Sequence, residues 1–402
     1  MGSAPMVRAM RSKQVRARNA AAVVAVGALA VGIVSIPAGP AHAADTITAA
    51  DQAYFGYYGL DRARAKGYTG KGVTIAMIDG RVDTSVPELA GANISVTIPC
   101  AITATSSTEN HGTGVASILV APGYGVAPDA TLLAYQTSLG KDVAGNDCAD
   151  NNSNVRTRYS WLFNQAMNDG AQIINLSATS HAFDDQTKWT VARAISQQVI
   201  LVNGAGNESK SDDDASLSKW SGVVGVSAIG ADDNRQDYSS WGQGVVTASI
   251  GGPVLLRNLE TGVNETGYGT SFAAPVVTGV LALAKQRWPE ATSNQLLQLL
   301  VKTGLNPDHG WNQYTGFGAI DPGAILNTDP SQFPDENPLM EKQGGSSPTP
   351  EEVQQYVDGV VDPTDIVNDN SYTYRGLDES RLGDGLNTSP THLGTSPRYH
   401  KK

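Results

Sequence analysis

From residue 73 to residue 326, short apolar runs alternate with segments that read as helices. Val73–Ile78, Thr131–Tyr135, Gln172–Leu176, Val199–Val202 and Val223–Ile229 are apolar nearly throughout. A strand wetted on one face alternates apolar and polar residues, whereas a strand covered on both faces does not. These runs therefore predict buried strands of a mainly parallel sheet. Between them, His111–Val120, Asn154–Asn168 and Gln186–Gln197 predict helices, with Gly170 as the stop of the second. Ser271–Arg287 and Ser293–Lys302 close the series. The pattern predicts an α/β fold: a doubly wound, mainly parallel sheet with helices on both faces. Ligands of such sheets bind beyond the carboxyl ends of the strands.

Outside this block the pattern changes twice. Residues 1–43 carry Arg8, Arg11, Lys13, Arg16 and Arg18, then an apolar run from Ala20 to Ile36, then Ala41-His42-Ala43. A basic, apolar and small-residue succession reads as a secretory signal peptide, cleaved before Ala44. Gly27, Gly32 and Pro37 break the run, which is short for a membrane span. No second run is long enough to cross a bilayer, so no transmembrane anchor is expected after cleavage. Residues 44–328 are assigned to the main domain. Residues 329–402 are rich in Pro, Gly, Ser, Asn and Asp, and predict a largely disordered polar tail with Gly344–Pro350 as linker. A short helix is expected near Glu351–Tyr356.

Charge and cysteine content narrow the class. The net charge of −11 becomes about −16 once the basic leader is removed, since residues 1–43 hold five basic residues and no acid. That body is unsuited to phosphate contacts, so nucleic acid is excluded as a partner. It suits a secreted protein, extracellular or associated with the cell envelope. Cys100 and Cys148 are the only cysteines. In an oxidising compartment a disulfide is expected, against the alternative of two free thiols.

The candidate chemistry sits in glycine-bordered turns. Asp79-Gly80 ends the first strand, His111 lies in Asn110-His111-Gly112-Thr113-Gly114, and Ser271 lies in Gly269-Thr270-Ser271-Phe272-Ala273-Ala274-Pro275. A strand-end Asp usually caps a turn, and a Ser at a helix start is usually an N-cap. Together they supply a nucleophile, its base and the base's orienter. Asn207, in Gly204-Ala205-Gly206-Asn207, reads either as a turn residue or as an oxyanion donor. Of the six histidines only His111 has a glycine-rich frame. Pro275 is expected in the first turn of its helix. Asp212-Asp213-Asp214 is weighed as a structural calcium site and read as a solvated loop, because calcium needs six to eight oxygens. No metal or other cofactor is expected.

These segments, in the order Asp, His, Asn, Ser, resemble the subtilisin-like serine proteases over roughly residues 50 to 328. Gly125–Ala130 and Gly316–Pro322 make the chain most similar to actinobacterial mycosins within that family. The resemblance implies a serine endopeptidase acting on protein or peptide substrates. Asp79, His111 and Ser271 are then its triad and Asn207 its oxyanion donor. Ser177-Ala178-Thr179 would pair with substrate backbone, with Thr179 where the family usually has Gly. A mycosin-like protein also implies a secretion-system or envelope partner, and no large inhibitory prodomain. Two departures stand out: the family has Ser or Thr where Gly80 stands, and Arg81 follows. With Thr179 they motivate an alternative, a catalytically weak scaffold that binds peptides or a secretion partner.

Overall fold

The computed structural model describes residues 46–149, 155–178, 185–212, 216–306, 310–342, 344–366, 368–376 and 392–393. The expected signal peptide lies outside them. Seven parallel strands form one sheet in the order β2 (Ile94–Thr97), β3 (Thr131–Gln136), β1 (Thr74–Asp79), β4 (Ile173–Leu176), β5 (Ile200–Gly204), β6 (Val223–Ile229), β7 (Val245–Ile250). All five expected strands are present. The edge strands β2 and β7 were not expected. β2 is short and largely exposed, so its residues carry no buried run. After β1 the chain adds strands on one side, then crosses over to add the rest on the other. The reversal places a crevice beside the carboxyl end of β1.

Alternation within β1 explains the apolar runs. Ile75 and Met77 enter one core, while Ala76 and Ile78 enter the other. The first core holds α1 (Ala53–Tyr57), α2 (Leu60–Ala65), α3 (Ser106–Val120), α6 (Thr270–Arg287), α7 (Ser293–Thr303) and α8 (Pro322–Asn327); the second holds α4 (Tyr159–Asn168) and α5 (Asp185–Ser196). α6 is buried from Thr270 to Ala284, because it runs between the sheet and other helices. A helix apolar all round is expected only in such a place. Gly170, at φ +85°, follows the end of α4 as predicted. α3 starts five residues earlier than the apolar run suggested, capped by Thr105, whose hydroxyl accepts from Thr108 N–H. His111 therefore sits in the second turn and does not open the helix.

The tail departs from expectation over its described part. The short helix expected near Glu351–Tyr356 is present as α9 (Pro350–Asp358), with a capping box in which Thr349 N–H donates to Glu352 Oε2 at 2.9 Å, and it ends at Gly359 in the left-handed region; what was not expected is the packing around it. Tyr356, Val361, Ile366, Tyr372 and Tyr374 cover Trp189 and Ala192 of α5. Buried Arg193 meets Asp369 at 3.2 Å, and Lys188 meets Glu352 at 2.8 Å. No apolar run marks this packing in the sequence, because the apolar residues are spaced singly. Each ring is enough to anchor its own short segment, but no run forms. The linker-like Gly344 lies against the Lys219 backbone, and Ser347 is bonded to Ser221 at 3.2 Å. Among the described residues no helix is long and apolar enough to cross a membrane.

Lys342 ties this segment to the domain. Its ammonium is buried and donates to three backbone carbonyls, those of Ser218, Val223 at 2.6 Å and Gly244 at 2.9 Å. Burial pulls its pKa down to about 7, while the charge of Asp212 pulls the other way. Lys342→Met keeps the length of the side chain but leaves those carbonyls without a donor. We expect it to cost about 2–4 kcal/mol of stability. Thermal unfolding by calorimetry checks this, and an unchanged Tm would show that the carbonyls find water instead.

Candidate active site

Asp79 is the last residue of β1 and is fully buried. Its Oδ1 accepts the Gly80 N–H at 2.7 Å and lies 2.7 Å from His111 Nδ1. An ionised carboxylate only accepts, so Nδ1 carries the ring proton and Nε2 is left with a lone pair. Asp79 Oδ2 is buried with no partner among the described residues. Burial alone would lower the imidazole's pKa. The Asp79 charge and hydrogen bond outweigh it and raise that pKa above its ordinary value. His111 keeps 27% of its side chain exposed, and its ring lies 5.5 Å from that of Phe272.

Two glycines allow this approach. A Cβ on Gly80 would stand 2.3 Å from the Thr108 carbonyl oxygen, and one on Gly112 would stand 2.6 Å from that of Gly80. The departure at Gly80 is thus enforced by α3, which crosses too close for a side chain. The expected loss of a hydroxyl bond to Asp79 is met by the backbone N–H on one oxygen and left unmet on the other. Arg81 points away from the carboxylate; it is 56% exposed and pairs with Glu109 at 3.2 Å.

Ser271 is the second residue of α6. It is 8% exposed, and its hydroxyl has no hydrogen-bond partner among the described residues. Gly269 makes room for it: a Cβ there would lie 2.8 Å from Ser271 Oγ and 3.4 Å from Asn207 Nδ2. Serine and asparagine therefore face one small space. Pro275 is the sixth residue of the helix and not in its first turn, contrary to expectation. With no N–H, it withholds the usual donor from the Ser271 carbonyl four residues earlier.

The Asn207 amide is oriented by Thr270, a residue not among the expected site residues. Thr270 N–H donates to Asn207 Oδ1 at 2.8 Å, and the Thr270 hydroxyl to the same oxygen at 3.1 Å. A backbone N–H can only donate, so the bonded atom must be the carbonyl oxygen, and Nδ2 is turned to the Ser271 side. The signal lay in the sequence, since a hydroxyl residue preceded the candidate nucleophile.

His111, Ser271, Asn207, Ser177 and Ala178 line one cleft of about 760 Å³. No hydrogen bond joins Ser271 to His111 among the described residues; such bonds are commonly long without substrate. Ser177 Oγ accepts from Asn175 Nδ2 at 2.9 Å, and the Ala178 carbonyl accepts from Asn203 Nδ2 at 3.1 Å. Thr179, Asp213 and Asp214 lie outside the described residues. Asp212 accepts the Gly244 N–H. Cys100 and Cys148 form a disulfide, with Cα atoms 5.0 Å apart. One wall of the cleft was not foreseen: a hairpin of β8 (Val254–Arg257) and β9 (Asn264–Gly267).

Residues 70–318 match the model of the peptidase S8, or subtilase, family. Subtilisin E of Bacillus subtilis is 28% identical over 263 residues, which cover 61% of this chain and 65% of that protein. The chain thus spans just under two thirds of that relative. Mycosin-1 of Mycolicibacterium smegmatis is 29% identical over 328 residues, covering 68% of this chain and 72% of the relative. Among solved structures, MycP1 from the ESX-1 type VII secretion system superposes with a TM-score of 0.60 at 25% identity, covering 73% of this chain and 90% of that one.

Proposed function

Because the chain belongs to the subtilase family, we propose that it is an exported serine endopeptidase with a mycosin-like association to secretion machinery. The observation that carries the reading is the buried Asp79–His111 pair, which opens into the same cleft as Ser271 and Asn207. Ser271 Oγ attacks the scissile carbonyl, and His111 Nε2 takes its proton. Asp79 holds the ring so that Nε2 faces the serine, and its charge stabilises the imidazolium that forms. The oxyanion receives the Asn207 amide and backbone N–H groups at the start of α6, where the helix dipole favours negative charge. His111 then gives the proton to the leaving amine, and water repeats the cycle on the acyl-enzyme. Export is supported by the basic and apolar pattern of residues 1–43 and by the disulfide.

A fluorophosphonate probe tests this directly. Phosphonylation of the folded protein is expected at Ser271 alone, located by peptide mass spectrometry, together with cleavage of a random peptide pool. Folded protein that takes no label and cleaves nothing would favour the peptide-binding scaffold.

A further inference from the structure

The cleft has a charge pattern that the triad does not use. Besides His111, the charged side chains that line it are Glu260 and Glu265. Both come from the β8–β9 hairpin and its turn, and both are exposed. No lysine or arginine lines the cleft among the described residues. The Glu260 carboxylate has no hydrogen bond or ion pair among the described residues, while Glu265 Oε2 accepts only from Asn258 Nδ2 at 3.0 Å.

Nearby charges are already matched. Arg257, on the same hairpin, turns away to Glu88, with Nε 3.0 Å from Oε2, and to the Gly262 carbonyl at 3.1 Å. Glu109 is neutralised by Arg81. Asp142 accepts from Thr105 N–H at 2.8 Å, Thr108 Oγ1 at 2.6 Å and Leu139 N–H at 3.2 Å. The turn is held beside the base: Leu259 N–H donates to Asn110 Oδ1 at 2.9 Å, one residue before His111. Two carboxylates without a cationic partner thus line the same cleft as Ser271, a residue only 8% exposed whose hydroxyl has no hydrogen-bond partner among the described residues.

We propose that Glu260 and Glu265 are specificity-determining residues that select peptides carrying a lysine or arginine side chain close to the scissile bond. The proposal rests on the protease reading above. A cationic side chain laid beneath the hairpin would meet two acceptors and no competing cation. Its own partners would otherwise be water, so pairing gains little in the open and more once the bound peptide shields the pair.

The test uses the full chain and one neutral peptide that it cleaves. Lysine, glutamine or glutamate is placed in turn at each of four positions on either side of the cleaved bond. Lysine at one or two positions is expected to raise kcat/KM about tenfold over glutamine at low ionic strength, with much of the gain lost in high salt. In E260Q/E265Q that gain disappears: the ratio of kcat/KM for the lysine peptide to that for the glutamine peptide, both measured on the variant, falls to about one. A double variant that keeps the lysine preference overturns the inference, as does a wild type that cleaves neutral peptides with no preference at any position. If no peptide is cleaved and Ser271 takes no fluorophosphonate label, the protease reading itself fails and carries this one with it.

Discussion

Ser271→Ala is expected to lower kcat for peptide hydrolysis by about 10⁶-fold, the loss typical when a triad nucleophile is removed. Stability should be nearly unchanged. The hydroxyl has no hydrogen bond to lose among the described residues, and alanine is well suited to a helix. The small space shared with Asn207 Nδ2 stays open, so substrate should still bind with a similar KM. Residual activity should remain above the uncatalysed rate, since the oxyanion donors survive. Stopped assays on variant purified in a clean background, with Tm measured beside them, decide the point. A loss below about 100-fold would mean that another group attacks the carbonyl.

Asp79→Asn should have the second largest effect, a fall in kcat of about 10³–10⁴-fold. The Gly80 N–H dictates how the new amide sits: only an oxygen can face it, so the amide oxygen keeps the Asp79 Oδ1 place. That oxygen still meets His111 Nδ1. The loss is therefore mainly the charge that steadies the imidazolium, plus a buried amide nitrogen where Oδ2 has no partner. The pH profile carries a second signature. In the wild type the imidazole's pKa is raised, because Asp79 outweighs burial. The base is neutral only above that pKa, so kcat/KM should fall as pH drops through a value above about 6.5, the ordinary histidine pKa. Without the carboxylate the raising influence is gone and burial remains, so the acid limb moves to lower pH. An acid limb that stays in place would show that Asp79 is not what tunes His111.

The legible parts of this chain were those where local chemistry leaves few choices. The strand runs could be read because β1 and its neighbours are buried on both faces, so every position is apolar whichever way it points. His111 and Ser271 could be singled out because close approach demands the small residues beside them, and Gly112 and Gly269 are each confirmed in that need by what a Cβ would strike. The start of α3 was not legible. Its first turn is polar because Ser106, Ser107 and Thr108 line the cleft, so apolar periodicity does not mark it. The edge strand β2 and the β8–β9 hairpin escaped for a similar reason, since half-exposed segments carry weak patterns.

By itself the sequence determined the fold class, the order of the chemical groups and the sites where backbone had to come close. These follow from burial periodicity and from steric limits that act within a few residues. The tertiary structure alone decided how distant segments meet: that the β8–β9 hairpin brings two carboxylates into the cleft that His111 lines, that Thr270 turns the Asn207 amide, and that the described tail residues from Tyr356 to Tyr374 settle on α5. Such contacts join residues up to about 200 positions apart, as Asn168 and Asn368 are. They depend on the geometry of the whole sheet, and no local pattern in the chain encodes that geometry.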